Sequence, residues 1–312
     1  MDITKDTIRA DGSKAPELGS VETAAQMLGI KPIGEQQIQD LMQTLNKYRA
    51  GKKTVDSRII ASENWWKLRN DVEEDKDGHA KPGFRSKSGW LHNVITNKHA
   101  DAMDAYPEPN ILPREQGDKA EAAMLSKIIP VVLEKNQFET TYSKVMWSKL
   151  KTGTGVYKVI WDKNKMNGLG DIDVRKCNIL NLFWEPGVED IQQSKYFFEV
   201  DFQDETEVRA MFPGELPEGK NIPHDFITSK YSYDDHVDTT DKVPVISAYY
   251  HKNGVLHYIL FVPGTVLYAT ENDPDRAMAG WYDHSKYPYV FDTLFPIAVS
   301  YTHLRAHETV LD

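Results

Sequence analysis

The sequence predicts an α+β fold in which N-terminal helices precede an antiparallel, β-rich segment. From Glu35 to about Thr152, apolar residues recur at intervals of three and four, which is the periodicity of amphipathic helices. After Gly153 the sequence changes to short alternating or β-branched runs, which are typical of strands. An Asn253-Gly254 pair between two of these runs is the strongest short signal for an antiparallel hairpin.

Two helices are predicted on either side of Gly51, which is expected to end the first of them. The second is predicted over residues 56–70. Its neighbouring tryptophans, Trp65 and Trp66, point to adjacent faces, so at least one ring is expected to meet another element. The apolar residues of the first helix are Ile38, Leu41, Met42, Leu45 and Tyr48.

A third helix is predicted over residues 87–105, and three prolines within residues 106–113 then enforce an extended connector. The fourth helix is expected to begin at a pair that resembles a capping box, Asp118 and Glu121. Pro130 lies inside this helix and is expected to kink it. The apolar stripe of the fourth helix consists of Leu125, Ile128, Ile129 and Val132.

A fifth helix, which carries Phe138 and Tyr142, is expected to end at Gly153, and the strands follow directly. A short helix capped by Asp204 and Glu207 is expected to interrupt them. Strands are predicted over residues 156–161, 171–175, 196–202, 243–251, 255–262 and 265–269.

The bulk composition limits the classes of function. The chain has 312 residues, 40% of them hydrophobic, and its net charge of −10 repels nucleic acid unless a local basic patch intervenes. Its one cysteine, Cys177, permits neither an internal disulfide nor a CxxC metal site, and a buried structural thiol is expected. No apolar run is long enough for a membrane span, and the polar residues 1–30 are expected to form a loose arm rather than a signal peptide.

No catalytic, cofactor-binding or metal-binding residues are predicted. Gly153 and Gly155 follow a helix and precede a strand, the reverse of a phosphate-binding loop, so a tight turn is expected. The eight histidines ahead of residue 299 are dispersed, and no HExxH motif occurs. The acidic pairs lie in turns or on polar strand faces, where carboxylates are solvated rather than buried as a catalytic pair.

Two alternatives from other classes stay open. Asp171 and Asp173 on one strand are compatible with magnesium, as in a metal-dependent nucleic-acid-processing enzyme. A carbohydrate-binding surface would use the aromatic residues Trp65, Trp66, Trp281 and Tyr282. The mixed basic and aromatic stretch over residues 81–98 could contact nucleic acid, but inward rings and outward cations are the favoured interpretation.

The last residues are expected to be foreign to the natural gene. Residues 299–309, VSYTHLRAHET, resemble one reading frame of a common sequencing-library adapter. We therefore expect residues 299–312 to be a non-native tail. His303 and His307, which have a metal-ligand spacing, are accordingly set aside.

An ordered series of short segments resembles the portal proteins of tailed bacteriophages, particularly the large portals of short-tailed phages. The series covers about residues 98–296, and its order and spacing make it specific. The segments are KHADAMDAYPEP from Lys98, WSKLKTGTGVYKVIWD from Trp147, GDIDV from Gly170, NLFWEP from Asn181, Asp190-Ile191, YPYV from Tyr287 and Phe295-Pro296.

The resemblance implies a structural ring subunit, typically one of twelve copies, with no active site. It implies three kinds of protein partner, namely the terminase motor, capsid or scaffold proteins and tail proteins. Double-stranded DNA would pass through the ring without sequence specificity. The expected location is the virion, and the host cytoplasm during assembly.

The resemblance also implies a domain organisation. Residues 1–30 would be a flexible arm, 31–153 a helical part of the portal wing, and 154–298 a β-rich part of the wing leading toward the stem. The stem, clip and crown of a portal would be absent, so the chain is expected to be a C-terminally truncated fragment.

Overall fold

The computed structural model describes residues 33–68, 89–220, 222, 241–273 and 276–294. These residues form two compact units. Unit 1 contains the described residues up to Lys47 and those between Lys195 and Tyr287. Unit 2 contains those from Tyr48 to Ser194 and from Pro288 to Leu294. The predicted arm and the predicted non-native tail lie outside the described residues.

The elements confirm the predicted fold class, because helices come first and antiparallel strands follow. The helices are α1 Glu35–Trp66, α2 Trp90–Asp104, α3 Lys119–Lys135, α4 Phe138–Thr152 and α5 Glu205–Met211. The strands are β1 Thr154–Asp162, β2 Asp171–Cys177, β3 Leu182–Trp184, β4 Tyr196–Asp204, β5 Lys242–Lys252, β6 Val255–Val262, β7 Thr265–Ala269 and β8 Tyr289–Thr293.

The predicted helix end at Gly51 is wrong, since α1 runs through this glycine without interruption. A Cβ atom placed on Gly51 would lie 2.6 Å from the Cγ atom of Pro186. The glycine is therefore explained by close packing of another segment against the helix and not by a change of backbone direction. The pattern ahead of Gly51 was interpreted correctly, because Ile38 and Leu45 are buried.

The start of α3 is where the sequence predicted it, but the capping box does not form. Asp118 occupies the cap position with a helical backbone conformation and makes no side-chain cap hydrogen bond. Its carboxylate instead accepts a 3.4 Å hydrogen bond from the Glu115 N–H. The helix continues across Pro130, and residues 106–113 have no regular secondary structure, as expected for a proline-rich connector.

Helix α4 ends as predicted at Gly153, which adopts a left-handed conformation with φ of 87°. The chain then enters β1 immediately. Gly155 allows this tight turn, because a Cβ atom there would lie 2.3 Å from the Cγ1 atom of Val145 on α4. The Gly-Thr-Gly segment thus joins helix to strand at van der Waals contact, which confirms the predicted turn.

Unit 2 contains a three-stranded antiparallel sheet in the order β2-β1-β8. Gly168 and Gly170, both with positive φ, lie in the connection between β1 and β2. The third strand, β8, follows more than a hundred residues after β2, and the sequence analysis did not predict it. Pairing places Tyr157 of β1 opposite Val290 of β8.

In unit 1, strands β4, β5, β6 and β7 follow one another in an antiparallel meander. The predicted hairpin is confirmed, because Asn253 and Gly254 both have positive φ and join β5 to β6. Asp204 caps α5 as predicted, accepting a 2.9 Å hydrogen bond from the Thr206 N–H. The core beside α5 contains Val208, Leu216, Ile222, Val243, Val245, Val262 and Leu267.

Within the described residues, no helix is both long and apolar enough to cross a membrane.

Candidate functional site: two exposed apolar surfaces of unit 2

The two aspartates of the predicted alternative metal site are paired with cations. Asp173 lies 2.8 Å from Lys165 Nζ and 3.6 Å from Arg175 Nε, and Asp171 lies 3.7 Å from Lys135 Nζ. The charge of each carboxylate is therefore compensated by a nearby cation, whereas a magnesium site needs several oxygen ligands around the metal ion. Among the described residues, no group of three or more acidic, histidine or cysteine side chains is arranged to hold a metal ion.

The predicted aromatic residues are divided between the two units. In unit 2, Trp66 stacks on His92 with ring centroids 4.0 Å apart, which confirms that one ring of the tryptophan pair meets a neighbouring element. Trp65 is 57% exposed. In unit 1, Trp281 packs 4.6 Å from the ring of Tyr258. Trp66 and Trp281 therefore serve packing within their own units.

Other candidate groups are also structural. Cys177 is buried, as predicted. His99 stacks on Trp147 at 4.0 Å and lies 3.1 Å from the Ser143 hydroxyl. Of the basic and aromatic stretch, residues 81–88 lie outside the described part of the chain, and Trp90 is 77% exposed at the start of α2.

A stripe of large apolar side chains on α3 is exposed. Its four members recur at helical spacing and are between 42% and 56% exposed. We call them the helix stripe: Met124, Leu125, Ile128 and Val131. Exposed apolar residues that form a continuous stripe mark an interaction surface more often than isolated ones do.

The opposite side of α3 is the one that contacts the rest of unit 2. Ala122 is buried, and the Ser126 hydroxyl donates a 3.3 Å hydrogen bond to the Ile111 carbonyl of the connector. At the end of the helix, the Asn136 side-chain oxygen accepts hydrogen bonds from Lys165 Nζ at 2.8 Å and from the Val174 N–H at 3.3 Å. The helix is thus fixed in place while its stripe points outward.

A second exposed apolar surface lies on the three-stranded sheet. Tyr157, Val159 and Trp161 share one face of β1, as the sequence predicted, and the residues opposite them on β2 and β8 share that face. Four of these side chains are between 36% and 54% exposed. We call them the sheet patch: Val159, Trp161, Ile172 and Val290.

Helix α4 covers the other part of this same face. The Phe138 ring lies 5.8 Å from the Tyr157 ring, and Lys149 Nζ lies 2.6 Å from the Asp292 carboxylate, opposite Gly155. Burial raises the pKa of the Tyr157 hydroxyl, and the negative charge of Asp292 raises it further. Along β1 the face is therefore covered as far as Tyr157 and exposed beyond it at Val159 and Trp161. On the edge strand β8 it is exposed at Val290, opposite Tyr157.

The reverse face of the sheet is packed within unit 2. The Phe291 ring meets the Trp184 ring with centroids 5.3 Å apart, and Lys158 Nζ lies 5.4 Å above the Tyr289 ring. Val156 and Cys177 are buried on this face. The exposed sheet patch therefore lies on one face of the sheet.

The helix stripe was predictable from the sequence only in part. The sequence predicts an apolar stripe on α3 that consists of Leu125, Ile128, Ile129 and Val132. The structure divides that set, because Ile129 and Val132 are half-buried while Leu125 and Ile128 are exposed. Met124 and Val131 extend the exposed side. The sequence shows that this helix is apolar on two sides, but no local pattern identifies which of the two sides is exposed.

A family model described as "Phage P22-like portal protein" matches residues 95–287, which is more than half of the chain. No curated protein matches the chain. The matched residues include α2 from residue 95 onward, α3, α4 and β1 to β7, and hence the whole of the helix stripe and most of the sheet patch. They also coincide with most of the segments that carry the resemblance seen in the sequence. The chain belongs to the phage P22-like portal protein family.

Proposed function

We propose that this chain is a subunit of a phage portal ring, through which DNA is packaged and ejected. The match over residues 95–287 is the observation that carries the proposal. Proteins of this family are structural components of the phage virion and connect its head to its tail. We further propose that the subunits form a ring, typically of twelve copies, and that this ring contacts DNA.

Exposed apolar surfaces support an assembling subunit. The helix stripe and the sheet patch both lie in unit 2, and each presents four large apolar side chains to solvent. Burying such surface on association is favourable, by roughly 25 cal/mol for each Å² removed from water. In a ring, such surfaces would be buried between neighbouring subunits, whereas a monomer would leave them exposed.

The charge of the chain is compatible with DNA that slides. Its net charge is −10, whereas proteins that hold DNA tightly neutralise phosphates with clustered lysines and arginines. We therefore propose that double-stranded DNA passes through the ring without sequence specificity and without strong phosphate contacts. The proposed protein partners are the terminase motor, capsid or scaffold proteins and tail proteins, which act in the host cytoplasm during assembly.

Assembly state is the direct test of this function. Light scattering coupled to size exclusion, followed by negative-stain electron microscopy, is expected to show that the 312-residue chain forms oligomers of more than two copies at micromolar concentration. Ile128→Glu places a charge in the helix stripe and is expected to shift the assembly to smaller species. Ala123→Glu is the matched control, since it adds the same charge to an exposed position of α3 outside the stripe.

The two rivals predict different measurements. A wild-type chain that stays monomeric would contradict the portal proposal. Cleavage of DNA with magnesium or manganese, abolished by Asp171→Ala, would favour the metal-dependent enzyme instead. Metal-dependent cleavage is not expected, because Asp171 and Asp173 are already paired with lysine and arginine side chains.

A further inference from the structure

We propose that the helix stripe of one copy packs on the sheet patch of the next copy, so that α3 continues in trans the helical layer that α4 begins in cis. This inference rests on the proposed ring, and it names the two surfaces that meet. The stripe is Met124, Leu125, Ile128 and Val131, and the patch is Val159, Trp161, Ile172 and Val290.

The symmetry of a ring requires two surfaces. In a closed ring of more than two copies, each subunit joins its neighbours through two different faces, one of which fits the other. Unit 2 supplies two exposed apolar surfaces of different shape. The stripe is a ridge on a helix that Asn136 fixes beside strand β2, and the patch is a face of the sheet itself.

The sheet patch is the exposed continuation of a surface that already binds a helix. Within unit 2, α4 packs on this face at Tyr157, and its first residue, Phe138, lies above that ring. Two residues further along β1, Val159 is 40% exposed, and Trp161 is 52% exposed. Because side chains on one face of a strand recur every second residue, the surface that α4 covers and the patch form one apolar strip.

The geometry of the patch is preorganised. The Trp161 indole lies over Gly170, where a Cβ atom would come within 2.4 Å of its Nε1 atom. Trp161 also stands opposite Ile172, and Val159 opposite the buried Val174. A partner helix would therefore meet side chains whose positions are set by the sheet, which reduces the entropy that association costs.

The two surfaces together present eight apolar side chains. Each of these side chains is between 36% and 56% exposed, and all eight would be buried at one junction. Pairing stripe with patch uses both surfaces at every junction of the ring.

Site-directed cross-linking tests which surfaces meet. The double variant Ile128→Cys with Val159→Cys carries one thiol in each surface, and the native Cys177 is buried. A short bis-maleimide is expected to convert this variant into a ladder of dimers, trimers and larger species on a denaturing gel. A mixture of the two single variants is expected to stop at dimers, because each copy then carries a thiol in only one of the two surfaces.

Controls separate this inference from the proposed function. Ala123→Cys with Val159→Cys moves the helix thiol off the stripe and is expected to give no ladder. Ring-sized assemblies without cross-linking of the stripe–patch pair would overturn the inference and leave the portal ring standing. Dimers formed by Ile128→Cys alone would also overturn it, because the stripe would then meet itself. A monomeric wild-type chain would contradict both proposals.

Discussion

Pro186 lies so close to Gly51 in the middle of α1 that a Cβ atom on the glycine would fall 2.6 Å from the proline Cγ atom. In an exposed helix, Gly→Ala stabilises by about 1 kcal/mol. Here we expect Gly51→Ala to destabilise unit 2 by about 1 to 2 kcal/mol, because overpacking outweighs the gain in helix propensity. Urea denaturation followed by tryptophan fluorescence measures the change.

A second substitution serves as the control for this contact. In a Pro186→Ala background the Cγ and Cδ atoms are gone, so Gly51→Ala is expected to lose most of its destabilising effect. Equal destabilisation by Gly51→Ala in both backgrounds would show that a contact other than the one with Pro186 disfavours a side chain at this position.

Four aromatic side chains from three helices pack together in unit 2. The Trp147 ring of α4 lies 4.0 Å from His99 of α2 and 5.3 Å from Trp66 of α1, which in turn stacks on His92. Trp147→Ala is expected to cost about 3 kcal/mol, because it removes the central ring of this set. Trp65→Ala, at a position that is 57% exposed, is expected to change stability by no more than about 0.5 kcal/mol. Comparable losses in thermal unfolding of the two variants would contradict this assignment.

A buried ion pair on α1 couples two residues that the sequence analysis did not single out. Lys52 Nζ lies 2.8 Å from the Asp56 carboxylate and donates a 2.6 Å hydrogen bond to the Ile179 carbonyl. Lys52→Met leaves Asp56 buried and unpaired, and such losses cost about 3 to 5 kcal/mol. Asp56→Leu is expected to be similarly costly. The double variant is expected to lose less than the sum of the two, in a double-mutant cycle measured by urea denaturation.

The same pair has a defined pH dependence. Burial raises the pKa of Asp56, an effect that the charge of Lys52 opposes. A carboxyl whose folded-state pKa lies above its unfolded value favours folding most at low pH and loses that contribution as pH rises. In Lys52→Met the opposing charge is absent. The loss in free energy of unfolding that this variant causes is therefore expected to become smaller as pH falls toward 4, where Asp56 is protonated. A penalty that is independent of pH would show that Asp56 is not the group responsible.

Asp204 provides a pH test in unit 1 with the opposite sign. Hydrogen bonds from Thr206 lower the pKa of this exposed cap residue. A lowered folded-state pKa stabilises the fold above the unfolded value and the effect is lost as pH falls through the folded pKa. Asp204→Ala is expected to lower the thermal midpoint at pH 7, and the difference from wild type should narrow below pH 3.8. Asp204→Asn keeps the cap acceptor without the charge and should show less pH dependence than wild type.

Elements that depend on local chemistry were predictable. The left-handed Gly153 ends α4, Asn253-Gly254 turns the β5–β6 hairpin, and Asp204 caps α5, because each conformation is set by residues within one turn. The capping box at Asp118 was predicted by the same logic and failed. There the carboxylate is used by the connector ahead of the helix, where it accepts the Glu115 N–H.

What the sequence determined by itself is the order of helices and strands, the turns between them and the series of segments that resembles phage portals. Periodicity, turn residues and short motifs are properties of neighbouring residues, so they can be read without a structure. Only the tertiary structure decided that Gly51 accommodates Pro186, that β8 completes the sheet of unit 2, and that the stripe of α3 remains exposed. Each of these depends on residues far apart in the chain, and no local pattern specifies which distant surface will cover an apolar side chain.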